Sequence, residues 1–265
     1  MSNILDVYDS IEKEFQSDGF DVKALNAESD LLLARNANGD WEGKKLEDGI
    51  RFAALPLAMI YNEAICRTLQ RLALEVIGCL PETLQRETLV TPIEELHLTV
   101  FHTGRPEYLR PMTAEEEAAE WVKYSDICSQ VVSFSLEVDR VVMAPTGALL
   151  LLLRAPGCGD PLGGVGILRK MFVKAFSDAP TKQARILHCS VARVAALDEP
   201  LPTACIAAVQ EVCNKYTSEL KQEMVHLTKV WAISEDSIPL EGPNGEIFEL
   251  PLGRPFTGEL SQTFT

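Results

Sequence analysis

The sequence predicts an α+β protein built from two related lobes, and three observations carry that prediction. The chain has 265 residues, 46% hydrophobic and 24% charged, which is the composition of a globular protein long enough for two lobes. From residue 49 onward, segments with apolar residues at helical spacing alternate with β-rich segments. The order helix, histidine-bearing strand, helix, hairpin then occurs twice, and His97 to Leu136 and His188 to Leu227 each span 39 residues. A repeat of this length indicates duplicated lobes whose related sites face each other.

The first 48 residues are predicted to form an acidic N-terminal extension, and residues 49–265 the main domain. Residues 1–48 carry 12 acidic and 5 basic side chains, and residues 36–40 are rich in turn formers. We expect one or two short helices here, the first over the amphipathic residues 4–16. No residue of the extension suggests chemistry.

The main domain divides into elements that follow from local pattern. Apolar spacing typical of helices, alternation typical of strands, and Pro or Gly between them set the bounds. In the first half the predicted elements are a strand over 50–55 ended by Pro56, a helix over 57–77, a strand over 95–102, a helix over 113–130, and a hairpin of strands 133–143 and 148–154 around residues 145–147. In the second half they are a helix over 167–176, a strand over 185–194, a helix over 202–220, and strands over 225–233 and 246–250 joined across residues 239–245.

Charge and composition exclude several classes of function. The net charge of −15 repels phosphate backbones and anionic lipids, so we expect neither a protein that coats long duplex nucleic acid nor one bound to membranes. The longest apolar run, residues 148–153, is far shorter than the roughly 20 residues of a membrane span, and the N-terminus lacks a signal-peptide pattern. Seven cysteines without a Cys-x-x-Cys pair favour a reduced compartment. These features predict a cytoplasmic monomer and leave the nucleus open as a location.

Two tetrapeptides carry the chemistry of the chain. His97-Leu-Thr-Val100 and His188-Cys-Ser-Val191 each read histidine, apolar, hydroxyl, apolar, within a predicted strand. Alternation places His97 and Thr99 on one face of their strand, and His188 and Ser190 likewise. If the lobes face each other, two imidazoles and two hydroxyls converge. One neutral histidine then removes a proton, the other delivers one, and the hydroxyls hold phosphate oxygens.

Two such motifs, 91 residues apart on matching strands of a duplicated α+β unit, resemble those of the two-histidine phosphoesterase superfamily, which includes LigT-like RNA cyclic phosphodiesterases. The resemblance covers roughly residues 50–252. It implies a bilobal fold with antiparallel sheets facing a central cleft, and no obligatory metal or other cofactor. It also implies catalytic roles for His97 and His188, phosphate-binding roles for Thr99 and Ser190, and substrates with 2′,3′-cyclic, 2′,5′ or 3′-terminal phosphodiesters. Which histidine is the acid stays open.

Other histidines and glycines fit structural roles better. In a third match, His226-Leu-Thr-Lys229, the lysine breaks the apolar position, so we expect His226 to be structural. His102, at a strand end, is expected at the rim of the cleft or exposed. The glycine-rich residues 157–166 lack the Lys-Ser/Thr of a phosphate-binding P-loop, so we expect a loop there.

Two further kinds of site are disfavoured. Adjacent residues of a strand point to opposite faces, so His188 and Cys189 are not expected to form a nucleophile–base pair. The four histidines lack the spacing of zinc ligands. Five arginines near the motif strands are expected to be solvated edge residues rather than phosphate ligands: Arg51, Arg105, Arg154, Arg185 and Arg193.

The sequence therefore predicts a metal-independent phosphodiesterase that acts on a small nucleotide or an oligonucleotide end, with the 2′,3′-cyclic diester as the first candidate. A second hypothesis is a binding module whose cleft holds a nucleotide or phosphorylated ligand without turnover. A third is an acidic scaffold that recruits a partner through the extension.

Overall fold

A computed structural model describes residues 3–45, 52–59, 62–101, 113–157, 159–176, 184–235 and 246–253. The helices of the described residues are α1 (Ile4–Asp18), α2 (Val22–Leu32), α3 (Glu63–Gly78), α4 (Glu82–Arg86), α5 (Ala114–Ser129), α6 (Gly163–Ala175) and α7 (Thr203–Leu220). The strands are β1 (Leu33–Arg35), β2 (Trp41–Gly43), β3 (Phe52–Met59), β4 (Thr88–Val90), β5 (His97–Thr99), β6 (Phe134–Met143), β7 (Ala148–Arg154), β8 (His188–Val194), β9 (Met224–Leu227), β10 (Lys229–Glu235) and β11 (Glu246–Pro251). None of these helices is long and apolar enough to cross a membrane.

One antiparallel sheet of nine strands organises the described part of the main domain. Its strand order is β11-β10-β3-β5-β8-β7-β6-β9, and β4 pairs with β8 as well. The histidine strands β5 and β8 are neighbours at the centre, joined through the register pair Leu98–Cys189. Although they come last in the chain, β10 and β11 return to the side of the sheet that holds β3 and β5. The predicted α+β class with antiparallel strands is confirmed.

The sheet curls, and the connection between β9 and β10 requires it to do so. β9 pairs with β6 at one end of the strand order, whereas β10 pairs with β3 and β11 at the other end. Only Thr228 separates these two strands in the chain. The continuous strand predicted over 225–233 is therefore wrong: the chain leaves one half of the sheet at Thr228 and enters the other half.

The prediction for residues 50–77 placed the boundary between strand and helix too early. β3 continues through Pro56, which lies opposite Ala232 of β10, and ends at Met59. The helix begins at Glu63, because the side chain of Asn62 accepts hydrogen bonds from the backbone N–H groups of Ala64 and Ile65. Proline fixes φ at a value that an extended chain tolerates, so its presence did not end the strand.

Residues 3–45 of the predicted extension pack on the main domain. Tyr8 of α1 is fully buried, and its hydroxyl donates to the carbonyl of Leu153 at 2.6 Å and accepts from the N–H of Leu187 at 3.1 Å. Asn26 of α2 makes reciprocal hydrogen bonds with the backbone of Leu197. The first helix is thus held next to the start of β8, and the second is held beside the segment that follows the end of β8.

Candidate active site

The four motif side chains lie on one face of the sheet, next to one another. Leu98 lies opposite Cys189 across the β5–β8 pair. Extended by one residue in each direction, this antiparallel register sets His97 opposite Ser190 and Thr99 opposite His188. Opposite residues of an antiparallel pair share a face, with Cβ atoms about 5 Å apart. The arrangement therefore groups two imidazoles and two hydroxyls on two adjacent strands.

The reverse face of the same two strands is the hydrophobic core. Leu98 and Cys189 are 1% and 0% exposed, whereas the four motif side chains keep partial exposure. Burial raises the pKa of the Cys189 thiol, so this cysteine is a neutral core residue. The Cys189 side chain lies on the opposite side of the sheet from His188, as the alternation of the sequence predicted.

A backbone carbonyl fixes the orientation of the His97 imidazole. Nδ1 of His97 lies 2.8 Å from the carbonyl oxygen of Glu95. A carbonyl can only accept, so Nδ1 carries a hydrogen and Nε2 is the atom left for chemistry. Desolvation lowers the pKa of His97, and the bond to Glu95 opposes that effect because it favours the charged form.

His188 is more strongly biased towards its neutral form. Its pKa falls to about 4, chiefly because of desolvation and then because of the positive charge that His97, Arg169 and Arg193 place nearby. A proton on His97 thus opposes a second proton on His188. The pair of imidazoles is suited to hold one proton between them, which is the state that combined acid and base catalysis requires.

A β-bulge brings Arg193 to the same face as Ser190. The register of β7 with β8 pairs Leu150 with Ser190, but Ala148 with Arg193, so β8 has one extra residue between these pairs. Leu150 and Ala148 share one face of β7, and Arg193 therefore faces the side of Ser190. The prediction that Arg193 is a solvated edge residue is wrong, since its side chain is only 15% exposed. Alternation alone would have turned this side chain away.

A cavity of about 460 Å³ opens beside the His188 half of the site. Its lining includes His188, Ser190 and Arg193 from β8, together with three acidic residues contributed by α1, α2 and the turn between them: Glu14, Asp21 and Glu28. Glu28 forms an ion pair with Arg193 at 2.9 Å. The extension, in which the sequence suggested no chemistry, thus forms part of the wall of this cavity.

Solved structures of other proteins share this arrangement of helices and strands. The chain is 14% identical to a conserved protein of unknown function from Agrobacterium tumefaciens, with a TM-score of 0.54, over 80% of this chain and 91% of that one. It is likewise 14% identical to a Thermus thermophilus protein, with a TM-score of 0.50, over 76% and 98% of the two chains. The chain therefore shares its fold with these two proteins. Escherichia coli LigT complexed with NADP+ is also similar, at 14% identity, a TM-score of 0.43, and coverage of 76% of this chain and 95% of that one. No protein-family model and no curated protein matches the sequence.

The third histidine motif lies away from the other two. His226 is on β9 at the end of the strand order, opposite Ser135, whose hydroxyl is 2.9 Å from its Nδ1. This position agrees with the structural role that the sequence predicted. His102, Arg51 and Arg105 lie outside the described residues. Arg154 pairs with Glu137.

The glycine-rich segment leads into α6 and serves packing. A Cβ atom on Gly164 would lie 2.2 Å from the ring of Phe134, so glycine lets α6 approach β6 closely. α6 also carries Arg169, which no sequence motif marks and which contacts the end of β5 and the segment that leads into β8.

Proposed function

We propose that this protein is a metal-independent phosphodiesterase that acts on a nucleotide or RNA-end diester, with the 2′,3′-cyclic diester as the first candidate and 2′,5′ and 3′-terminal diesters as the next. The grouping of His97, Thr99, His188 and Ser190 on one face of β5 and β8 carries the proposal. Two imidazoles beside two hydroxyls supply a base, an acid and donors to a phosphate without a metal ion.

The two histidines have different roles in this mechanism. His188, with its pKa near 4, stays neutral at pH 7 and accepts the proton of the attacking water. His97, whose charged form the Glu95 carbonyl favours, donates from Nε2 to the leaving ribose oxygen. The anionic diester favours protonation of His97 when it binds, because a negative charge beside an imidazole raises its pKa.

The hydroxyls of Thr99 and Ser190 donate to the non-bridging phosphate oxygens, and the Arg193 guanidinium offers charge from the same face. The substrate is small, since Glu14, Asp21 and Glu28 line the cavity and repel a continuing phosphate backbone. We expect a monomer that binds neither long duplex nucleic acid nor membranes.

The decisive test is hydrolysis of 2′,3′-cyclic nucleotides and of short oligonucleotides with a 2′,3′-cyclic end, in the presence of EDTA. His97→Ala and His188→Ala should each lower kcat at least about 100-fold. His226→Ala is the matched control, because it removes the same side chain from the same kind of motif at the edge of the sheet. Equal activity of wild type and both motif variants would refute the mechanism.

A diester with a p-nitrophenolate leaving group separates acid from base. This leaving group is stable as an anion and needs no proton, so His97→Ala should hydrolyse it within a few-fold of the wild-type rate, whereas His188→Ala should not. The opposite result would exchange the two roles.

The binding-module hypothesis predicts a different outcome. A folded wild-type protein that binds cyclic, 2′,5′ and 3′-terminal diesters but hydrolyses none of them would refute the enzymatic proposal.

A further inference from the structure

Arg169 is a buried cation that contacts the backbone at the end of β5 and just before the start of β8. It lies on α6 and is 7% exposed. Its Nε donates to the carbonyl of Val100 at 2.7 Å, and its Nη2 donates to the carbonyls of Thr99 at 3.1 Å and Ile186 at 3.3 Å. Thr99 and Val100 end the first motif, and Ile186 precedes His188 by two residues. One guanidinium therefore spans the ends of the two segments that carry the site.

The bridge lies where the strands have few bonds of their own. β5 and β8 share only the register pair Leu98–Cys189 in the described structure. A pair this short leaves the relative position of two strands poorly fixed, and three hydrogen bonds from a planar, rigid guanidinium supply the missing constraint. Lysine, with one flexible nitrogen, has no such fork.

The charge of Arg169 has no counter-ion among the described residues. No carboxylate of the described chain lies within ion-pair distance of it, and its Nη1 has no hydrogen-bond partner there. Desolvation lowers its pKa to about 10, so it remains charged at pH 7. Burying a cation is costly unless its hydrogen bonds are made, and the carbonyls of Thr99, Val100 and Ile186 accept three of them here.

Resting on the proposed function, we propose that Arg169 is a positioning residue of the two-histidine site: its guanidinium holds the end of β5 against the segment that leads into β8, and sets its charge beside that segment.

Charged groups other than Arg169 also face His188 and affect its protonation. His97 faces it from β5 and Arg193 from β8, while Glu14, Asp21 and Glu28 line the adjoining cavity from α1, the turn after it and α2. The three carboxylates favour a protonated His188, whereas the cations oppose it. Removal of one cation should therefore shift this balance towards protonation.

The test compares Arg169→Met and Arg169→Lys with wild type, using Lys170→Met as the control because Lys170 is the exposed neighbour on the same helix. Two readouts are needed: the His188 pKa from NMR titration of its imidazole proton, and steady-state kinetics on the 2′,3′-cyclic substrate. Arg169→Met should raise the His188 pKa by roughly 1 and lower kcat at least about 10-fold. Arg169→Lys should keep the wild-type pKa, since the charge remains, but should also lower kcat, since the bridge is lost. If Arg169 only stabilised the core, the two variants would not differ in this way, with kcat lowered in both and the His188 pKa changed in Arg169→Met alone.

An unchanged His188 pKa in Arg169→Met, or kcat within threefold of wild type in Arg169→Lys, would overturn the proposal. If Arg169→Met does not fold, the kcat of Arg169→Lys decides alone. The titration needs no turnover, so a wild-type protein that hydrolyses no diester would refute the proposed function while the pKa comparison still tests Arg169.

Discussion

Tyr8 links the N-terminal extension to the segment that leads into β8, and its hydroxyl can be removed without changing the shape of the side chain. In Tyr8→Phe the N–H of Leu187 loses its acceptor at 3.1 Å and the carbonyl of Leu153 loses its donor at 2.6 Å. Tyr8 is fully buried, so water does not replace the hydroxyl. A buried group left without a partner costs about 1–3 kcal/mol, and two such groups lower the free energy of unfolding by about 2–6 kcal/mol. Leu187 directly precedes His188, so we also expect kcat to fall about 10-fold.

Urea unfolding followed by circular dichroism measures the first effect, and diester hydrolysis measures the second. Tyr216→Phe is the matched control: it deletes a hydroxyl that donates to Glu75, a side chain 42% exposed and also bonded to Lys215. That variant should lose less than about 1 kcal/mol. A loss in Tyr8→Phe no larger than in Tyr216→Phe would refute the reasoning that Tyr8 anchors the start of β8.

Three further predictions concern pH, the cavity and the hairpin. The pKa of His188 falls from 6.5 to about 4 on folding, so the folded state resists a proton that the unfolded state accepts, and up to about 3 kcal/mol of stability should be lost as the pH falls from 6.5 to 4. His188→Gln should flatten this dependence in urea titrations, and an unchanged slope would contradict it. Glu28→Gln removes the ion pair of Arg193, so the guanidinium is free to bind the phosphate and KM for the diester should fall roughly 2- to 10-fold in steady-state kinetics. A higher KM would contradict a phosphate-binding role for Arg193. Gly147 has φ +87°, and a Cβ atom added there would lie 2.8 Å from the carbonyl oxygen of Val194. Gly147→Ala should therefore lower the free energy of unfolding by about 1–3 kcal/mol, measured by thermal unfolding. An unchanged Tm would show that the turn relaxes freely.

The histidine strands could be predicted from sequence because alternation is a local property. Period-2 spacing separates His97 and Thr99 from Leu98, and it does the same for His188 and Ser190, so the face of each side chain follows from three residues. The repeat predicted that the two motifs converge because the lobes face each other, but it predicted no register between strands about 90 residues apart. In the structure β5 and β8 are neighbours in one sheet, joined through the pair Leu98–Cys189.

The errors occur where tertiary contacts override local signals. Pro56 favours the end of a strand, yet pairing with β10 continues β3 past it. Thr228 resembles its neighbours in β-propensity, but the two sides of it pair with opposite halves of the sheet. The bulge that turns Arg193 into the cavity depends on its partner strand β7, which a pattern within β8 does not encode. The local sequence predicts neither the continuation of β3, nor the break at Thr228, nor the bulge in β8.

The distribution of charge around the site explains why the empty and occupied states should differ. Arg169 and Arg193 both lower the pKa of His188, and His97 is shifted in the same direction by desolvation, so the free site disfavours an imidazolium. A bound phosphodiester adds a negative charge beside these cations. Binding of the diester raises the pKa of the imidazole beside it. The hydrogen bond from His97 to the Glu95 carbonyl favours the charged form of His97, so the proton goes to His97. In this mechanism the substrate itself creates the general acid, so a neutral analogue of the diester should leave both histidines unprotonated at pH 7.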